Sequence, residues 1–165
     1  MTKQIECRAA RSNDAKDMIA VQFKAVQSIS KENYAKQVLS AWSPKPNSQR
    51  IQWLADYIKN DNVRCYVATN NKSKVLGIAV YLIAEQCLKS LYVDPKHSGT
   101  GIGTRLLNRI ERFAHKKDAD KLHLKASLNS ISFYKNMGFK KIKEAKQILT
   151  NGSSMEAVFM EKAIN

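Results

Sequence analysis

The stretch VDPKHSGTGIGTRLL, Val93 to Leu107, decides how the chain is read. It joins the end of an apolar run to the start of an amphipathic helical pattern. Gly99, Gly101 and Gly103 recur at alternate positions, so the backbone of Ser98 to Thr104 can approach a ligand with no Cβ in the way. The first amides of the following helix have no intrahelical acceptor, and the helix dipole adds about half a positive charge at that end. Together these features make a site for phosphate oxygens. The spacing is not that of a mononucleotide loop, GxxxxGK[ST]. It also misses the dinucleotide pattern GxGxxG, because the third glycine comes one residue early. No acidic residue stands about 20 residues further on in a place to hold a ribose; Asp118 and Asp120 fall near there, but in a lysine-rich helix end. A glycine-rich turn without a ligand is the plainer alternative.

Upstream of the loop, Cys87 to Val93 reads as a strand. Strict alternation places Leu88, Ser90 and Tyr92 on one face and Cys87, Lys89, Leu91 and Val93 on the other. Val63–Thr69 and Val75–Ala84 read as two more strands, joined by the turn Asn70–Ser73; Glu85-Gln86 makes a tight connection to the next. Downstream, a helix runs to about Lys117 with Ile102, Leu106, Ile110 and Phe113 or Ala114 as its buried stripe. Leu122, Leu124 and Ala126 alternate as a strand. Asn129 or Ser130 is expected to cap a short helix ending at Gly138. Phe139–Leu149 and Met155–Met160 read as a closing antiparallel pair around Asn151-Gly152.

The N-terminal third begins with a short strand, Ile5–Ala9. A helix follows, capped by Ser12, with Asp14 in its first turn and Ile19, Phe23 and Val26 on its apolar face. Helices are expected over Lys31–Ser40 and Gln49–Lys59, separated by the break Ser43–Asn47. The order predicts an α/β (α+β) fold in a single domain spanning 1–165: a mixed, mostly antiparallel sheet flanked by helices. Helices at about 12–60 precede a core at about 63–142 and closing strands at about 139–162.

Composition narrows the class. A chain of 165 residues can bury a real core. Mean hydropathy is −0.42, and no apolar run approaches the roughly 18 residues of a membrane helix. The opening MTKQIECRAARS has no apolar stretch of signal-peptide type, so a cytoplasmic location is expected. Cys7, Cys65 and Cys87 are odd in number and widely spaced, which predicts neither a disulfide framework nor a zinc site. No metal is expected.

The net charge of +14 favours anionic partners, either nucleic acid or a multiply phosphorylated cofactor. Residues 105–146 hold 12 basic and four acidic side chains, directly after the glycine loop. There is no RGG tract, zinc-finger spacing or aromatic-interleaved basic motif, which argues against nucleic acid.

Leu91-Tyr92-Val93-Asp94-Pro95, the glycine loop, Thr104-Arg105-Leu106-Leu107 and NSISFYKNMGF (Asn129 to Phe139) together resemble the GNAT superfamily of N-acyltransferases. The resemblance is strongest over residues 75–142. It implies that the amides of Ser98, Gly99, Thr100, Gly101, Ile102, Gly103 and Thr104 bind the pyrophosphate of acetyl-CoA. It further implies that Leu91, Tyr92 and Val93 offer backbone groups to the pantetheine arm and an N–H to the thioester oxygen. Asn129 would lie near the pantetheine, and Tyr134 would donate a proton to the departing thiolate. The chain departs from the family at Ser98, where Arg or Gln is usual; His97, Lys96 or Arg105 is a substitute donor.

An acceptor amine must lose a proton before it attacks. Family members often use a carboxylate near the strand matching Cys87–Val93, where this chain carries Lys89. Glu85 and His123 are the remaining candidates for the base, against bland readings as a turn charge and an exposed strand residue. The resemblance places the acceptor wall in the N-terminal third, with Phe23, Gln27, Tyr34, Trp42 and Trp53 as candidates for pocket or core. A basic surface disfavours polycationic acceptors and permits acidic or neutral amines, amino acids or protein termini, whether small molecule or peptide. Homodimers are common among similar proteins. The competing reading is a non-catalytic acyl-CoA sensor or partner-binding module of the same fold.

Overall fold

The computed structural model describes residues 4–164. Strand β1 (Glu6–Ala9) leads into helices α1 (Ala15–Gln27), α2 (Lys36–Trp42) and α3 (Ser48–Tyr57). Strands β2 (Val63–Thr69), β3 (Val75–Leu82) and β4 (Cys87–Val93) follow as a meander. Helix α4 (Ile102–Lys116), β5 (Lys121–Ser127), α5 (Ile131–Asn136), β6 (Lys140–Ile148) and β7 (Ser154–Ala163) complete the chain. The seven strands form one sheet in the order β1-β2-β3-β4-β5-β7-β6. Every pair is antiparallel except β4 with β5. The α/β fold with a mixed, mostly antiparallel sheet is as expected.

Each face of the sheet is covered by helices. Ile102, Leu106, Leu107 and Ile110 of α4 are at most 2% exposed and pack on Leu76, Ala79 and Tyr81. Burying each such side chain contributes roughly 1.5–3 kcal/mol. Gly77 lets α4 come this close: a Cβ there would meet Ile102 Cγ2 at 2.7 Å and Leu106 Cδ1 at 2.9 Å. On the opposite face, Met18, Val21 and Leu54 of α1 and α3 pack on Val67, Ile78 and Val80. Strand β5 keeps the expected alternation, with Leu122, Leu124 and Ala126 almost completely buried.

Four local expectations are corrected. Ser12 does not cap α1; its hydroxyl donates to Ala55 O, and residues 12–14 form a 3-10 turn. Asp14 stands at the N-cap instead, because Arg8 from β1 meets its carboxylate with two hydrogen bonds of 2.8 and 2.9 Å. The second helix begins at Lys36, since residues 31–34 turn to bury Tyr34. Neither Asn129 nor Ser130 caps α5 with its side chain; Ser130 Oγ donates to Ser127 O. Finally, the alternation of β4 is broken. Val80 pairs with Ser90 and Tyr81 with Leu88, which leaves Lys89 as the extra residue of a β-bulge. Leu88 therefore faces α4, while Tyr92 faces α1 and α2.

Asp14 is buried, and its carboxyl sits below the ordinary carboxylate range. The Arg8 hydrogen bonds are the main cause; burial opposes them and the Arg11 amide, at 2.7 Å, assists. Asp14→Asn should lower unfolding stability by about 2 kcal/mol, as loss of a partly buried ion pair does. A depressed folded pKa means the contribution is present above the unfolded value of about 3.9. It disappears as pH falls through the lower, folded value. Denaturant unfolding at pH 7 and at low pH checks this: the gap between wild type and variant should close in acid.

The three cysteines are free, and Cys65 is the most buried. Burial pushes its thiol up to about 11.

Candidate active site

The bulge in β4 opens the sheet. Strands β4 and β5 pair only at Cys87 with His123, then diverge toward the C-terminal end of β4. A cleft of about 1480 Å³ fills the gap and continues to both sides. Asp94 N–H donates to Leu76 O of β3 at 2.8 Å. By the alternation of an antiparallel pair, Tyr92 then also points its backbone groups at β3, and Leu91 and Val93 point theirs into the gap. A parallel neighbour would normally use these groups. Here the divergence of β5 leaves them facing the cleft.

At the open end of the gap, a 3-10 turn over Pro95–His97 is started by Asp94, whose buried carboxylate accepts from Lys96 N at 2.9 Å. Gly99 and Gly101 have φ of 74° and 85°, the left-handed region, and Gly101 is the N-cap of α4. A Cβ on either would meet nothing within 4 Å, so these glycines are required by backbone conformation and not by crowding. The first helical hydrogen bond is Arg105 N to Gly101 O at 3.0 Å. Among the described residues, the six amides from Gly99 to Thr104 have no acceptor. They stand at the positive end of a 15-residue helix, which suits a phosphate group.

The atypical Ser98 lines the cleft, but its amide donates to Pro95 O at 3.3 Å. Of the substitute donors, Arg105 is turned away and donates to Ile5 O at 2.8 Å. His97 lines the cleft, with a buried Nδ1 that has no partner among the described residues.

Asn129 and Tyr134 line the wall across the gap. Tyr134 is 7% exposed, held edge-on by Phe133 and Phe139. Its hydroxyl has no hydrogen-bond partner among the described residues, and burial pushes its pKa well above the ordinary phenol range, with Tyr92 adding to the effect.

Glu85 and His123 are brought together, with His123 Nε2 2.7 Å from Glu85 O. They lie at the end of the sheet where β4 and β5 still pair, and neither lines the cleft. Glu85 accepts from Asn62 Nδ2, and His123 lies tilted against Phe159 with ring centroids 5.3 Å apart. The cleft walls carry Arg50, Lys89 and Lys125 but, among the described residues, no Asp or Glu.

Of the expected acceptor-wall residues, Trp42 and Trp53 line the cleft. Tyr34 and Gln27 are struts: Tyr34 Oη donates to Glu156 O, and Gln27 Nε2 donates to Leu39 O and Ser43 O. Phe23 lies outside the cleft. Gln22, Arg50 and Tyr57 belong to the wall and were not evident from sequence. The helical spacing of Gln49, Arg50, Trp53, Leu54 and Tyr57 on α3 was the available signal, since they form one face.

Known proteins share this fold. The model of the acetyltransferase (GNAT) domain matches residues 27–162. An uncharacterized N-acetyltransferase from Methanocaldococcus jannaschii is 26% identical over 155 residues, 84% of this chain. The chain spans 62% of that relative's length. A GCN5-related N-acetyltransferase from Rhodopseudomonas palustris superposes with a TM-score of 0.85 at 21% identity, covering 99% of this chain and 98% of that one. The PaiA N-acetyltransferase from Thermoplasma acidophilum, solved with coenzyme A, gives 0.76 at 22% identity, covering 97% and 99%.

Proposed function

Because this chain belongs to the GNAT acetyltransferase domain family, we propose that it moves an acetyl group from acetyl-CoA to a primary amine by direct attack in a ternary complex. The observation that carries the proposal is the run of six unpartnered amides at the head of α4, on residues of which five line the same cleft as Tyr134. The amides match a pyrophosphate, and the exposed backbone of Leu91 and Val93 matches a pantetheine arm lying along β4. One of their N–H groups can donate to the thioester oxygen as charge develops there. Asn129 offers an amide to the same arm. Tyr134 donates its proton to the sulfur as the carbon–sulfur bond breaks. A phenol held neutral by burial is suited to that step.

The incoming amine loses its proton to water in this account, since neither Glu85 nor His123 lines the cleft. Lys89 and Lys125 assist that loss electrostatically. A lysine-like amine with a pKa of about 10.4 would have it lowered by neighbouring positive charge, which enlarges the neutral fraction.

One observation favours a second reading, an acyl-CoA sensor without turnover: among the described residues, the cleft walls lack a carboxylate. Thermal unfolding with acetyl-CoA, NAD, ATP or duplex DNA identifies the ligand. Stabilisation by acetyl-CoA alone is expected; about 2.7 kcal/mol corresponds to ligand at a hundred times its Kd. Equal stabilisation by NAD or ATP would contradict the donor assignment. Thiol release on adding an amine panel then distinguishes enzyme from sensor.

A further inference from the structure

Three cationic side chains reach the cleft, and phosphate binding at the head of α4 does not account for Arg50. This residue lies in the first turn of α3, on the acceptor wall and not on the glycine loop. Its Nη1 donates to Pro44 O, and its Nη2 donates to Gln22 Oε1 at 3.2 Å. Gln22 Oε1 also accepts from Ser43 Oγ at 2.5 Å, and Gln22 lies against the Tyr92 hydroxyl. Tyr92 Oη in turn accepts from Trp42 Nε1 at 3.0 Å. The guanidinium is thus fixed, through neutral groups only, to the strand that faces the acyl site.

Two of its five N–H groups are used, and the other three have no acceptor among the described residues. Among the described residues, Arg50 has no carboxylate within ion-pair distance. It is half-buried, and desolvation works against its charge. A half-buried, immobilised guanidinium without a counter-charge costs free energy in the unliganded protein, and a bound anion would recover it. Nearby, Lys89 lies over the Tyr57 ring at 5.1 Å, and Tyr57 stacks on the 56%-exposed Trp53 at 4.8 Å. The rim of this wall is therefore also cationic, with an aromatic platform beside it.

We infer that the acceptor is an amine that also bears a carboxylate, and that Arg50 receives this carboxylate as a specificity-determining residue. The inference rests on the acetyltransferase reading and specifies its substrate class. A planar fork suits a planar carboxylate with two parallel hydrogen bonds. The absence of Asp and Glu from the cleft walls, among the described residues, fits the same class, since an acid there would repel the substrate and a polyamine would have nothing to hold it.

The test does not need turnover. Protein saturated with CoA is titrated calorimetrically with a set of N-acetyl amino acids, aliphatic and aromatic, and with their primary amides. The expected result is at least tenfold tighter binding of the carboxylate in one or more matched pairs. Arg50→Gln should abolish that preference while its affinity for CoA stays within twofold of wild type. Should Arg50→Gln fail to fold, Arg50→Lys decides, because it keeps the charge and loses the fork; it should reduce the preference severalfold. Equal binding of acid and amide, no binding of either, or a preference that survives Arg50→Gln would overturn the inference. None of these results bears on whether acetyl-CoA is bound or its acetyl group transferred. Conversely, a protein that releases no thiol with any amine, yet shows the Arg50-dependent preference, would refute the catalytic reading alone.

Discussion

Tyr134→Phe is expected to lower kcat about a hundredfold, the lower end of what a positioned general acid contributes, with the acetyl-CoA Kd changed by less than about twofold. Packing and chemistry separate cleanly at this side chain. The ring is buried against Phe133 and Phe139, and phenylalanine keeps both edge-on contacts. The hydroxyl has no protein partner among the described residues, so its removal leaves no orphaned group behind. What is lost is one proton donor facing the cleft. The raised phenol pKa has a visible consequence as well. A group raised above its ordinary value of about 10 stays protonated throughout the working range. The wild-type rate should therefore show no alkaline fall assignable to this phenol below about pH 10. Steady-state kinetics with saturating acetyl-CoA check both points. Unchanged kcat in the variant would remove Tyr134 from the chemistry and leave it a core aromatic.

Gly101→Asp is expected to weaken acetyl-CoA binding about a hundredfold, roughly 2.7 kcal/mol. Gly101 has φ of 85° and open space where its Cβ would be. Asp and Asn tolerate the left-handed region better than other residues, so the backbone cost is modest. The new carboxylate would stand at the N-cap of α4, where N-cap acids bind helix amides. It would compete for the amides offered to the pyrophosphate and repel the ligand's charge. Gly101→Asn is the control. It carries the same shape without the charge and should cost less than about tenfold by the same scale. Isothermal titration of both variants with acetyl-CoA measures the difference. Equal, small losses would show that the amides of this loop do not hold the phosphates.

How far the sequence could be read depended on whether an element's partners were near in the chain. Leu122, Leu124 and Ala126 alternate, and the strand they announced is there, because burial on one face is a property of the strand itself. The glycines at 99, 101 and 138 all have positive φ, a requirement that a turn imposes locally. The failures are long-range. Alternation along β4 ignored the bulge at Lys89, which is set by the pairing with β3 and opens the cleft. Ser12 read as the cap of α1, and Arg8 on β1 holds Asp14 there instead. Glu85 was a candidate base by its place just before β4, and His123 by facing away from Leu122 and Leu124, yet both sit at the closed end of the sheet. Arg50 carried no signal of its own, since an arginine in a helix reads as solvated surface. Only the packing of α3 over the cleft gives it a role.

Acetyl transfer from acetyl-CoA to an amine is tested by incubating the protein with isotope-labelled acetyl-CoA and a mixture of amino acids, peptides and polyamines. Mass spectrometry then follows the products while free thiol is counted. Labelled N-acetyl product is expected one-for-one with CoA, carried by carboxylate-bearing amines, with the rate collapsing in Tyr134→Phe. Acetyl-CoA bound by the protein but returned intact, with no labelled amine and no thiol above the rate without protein, would contradict it.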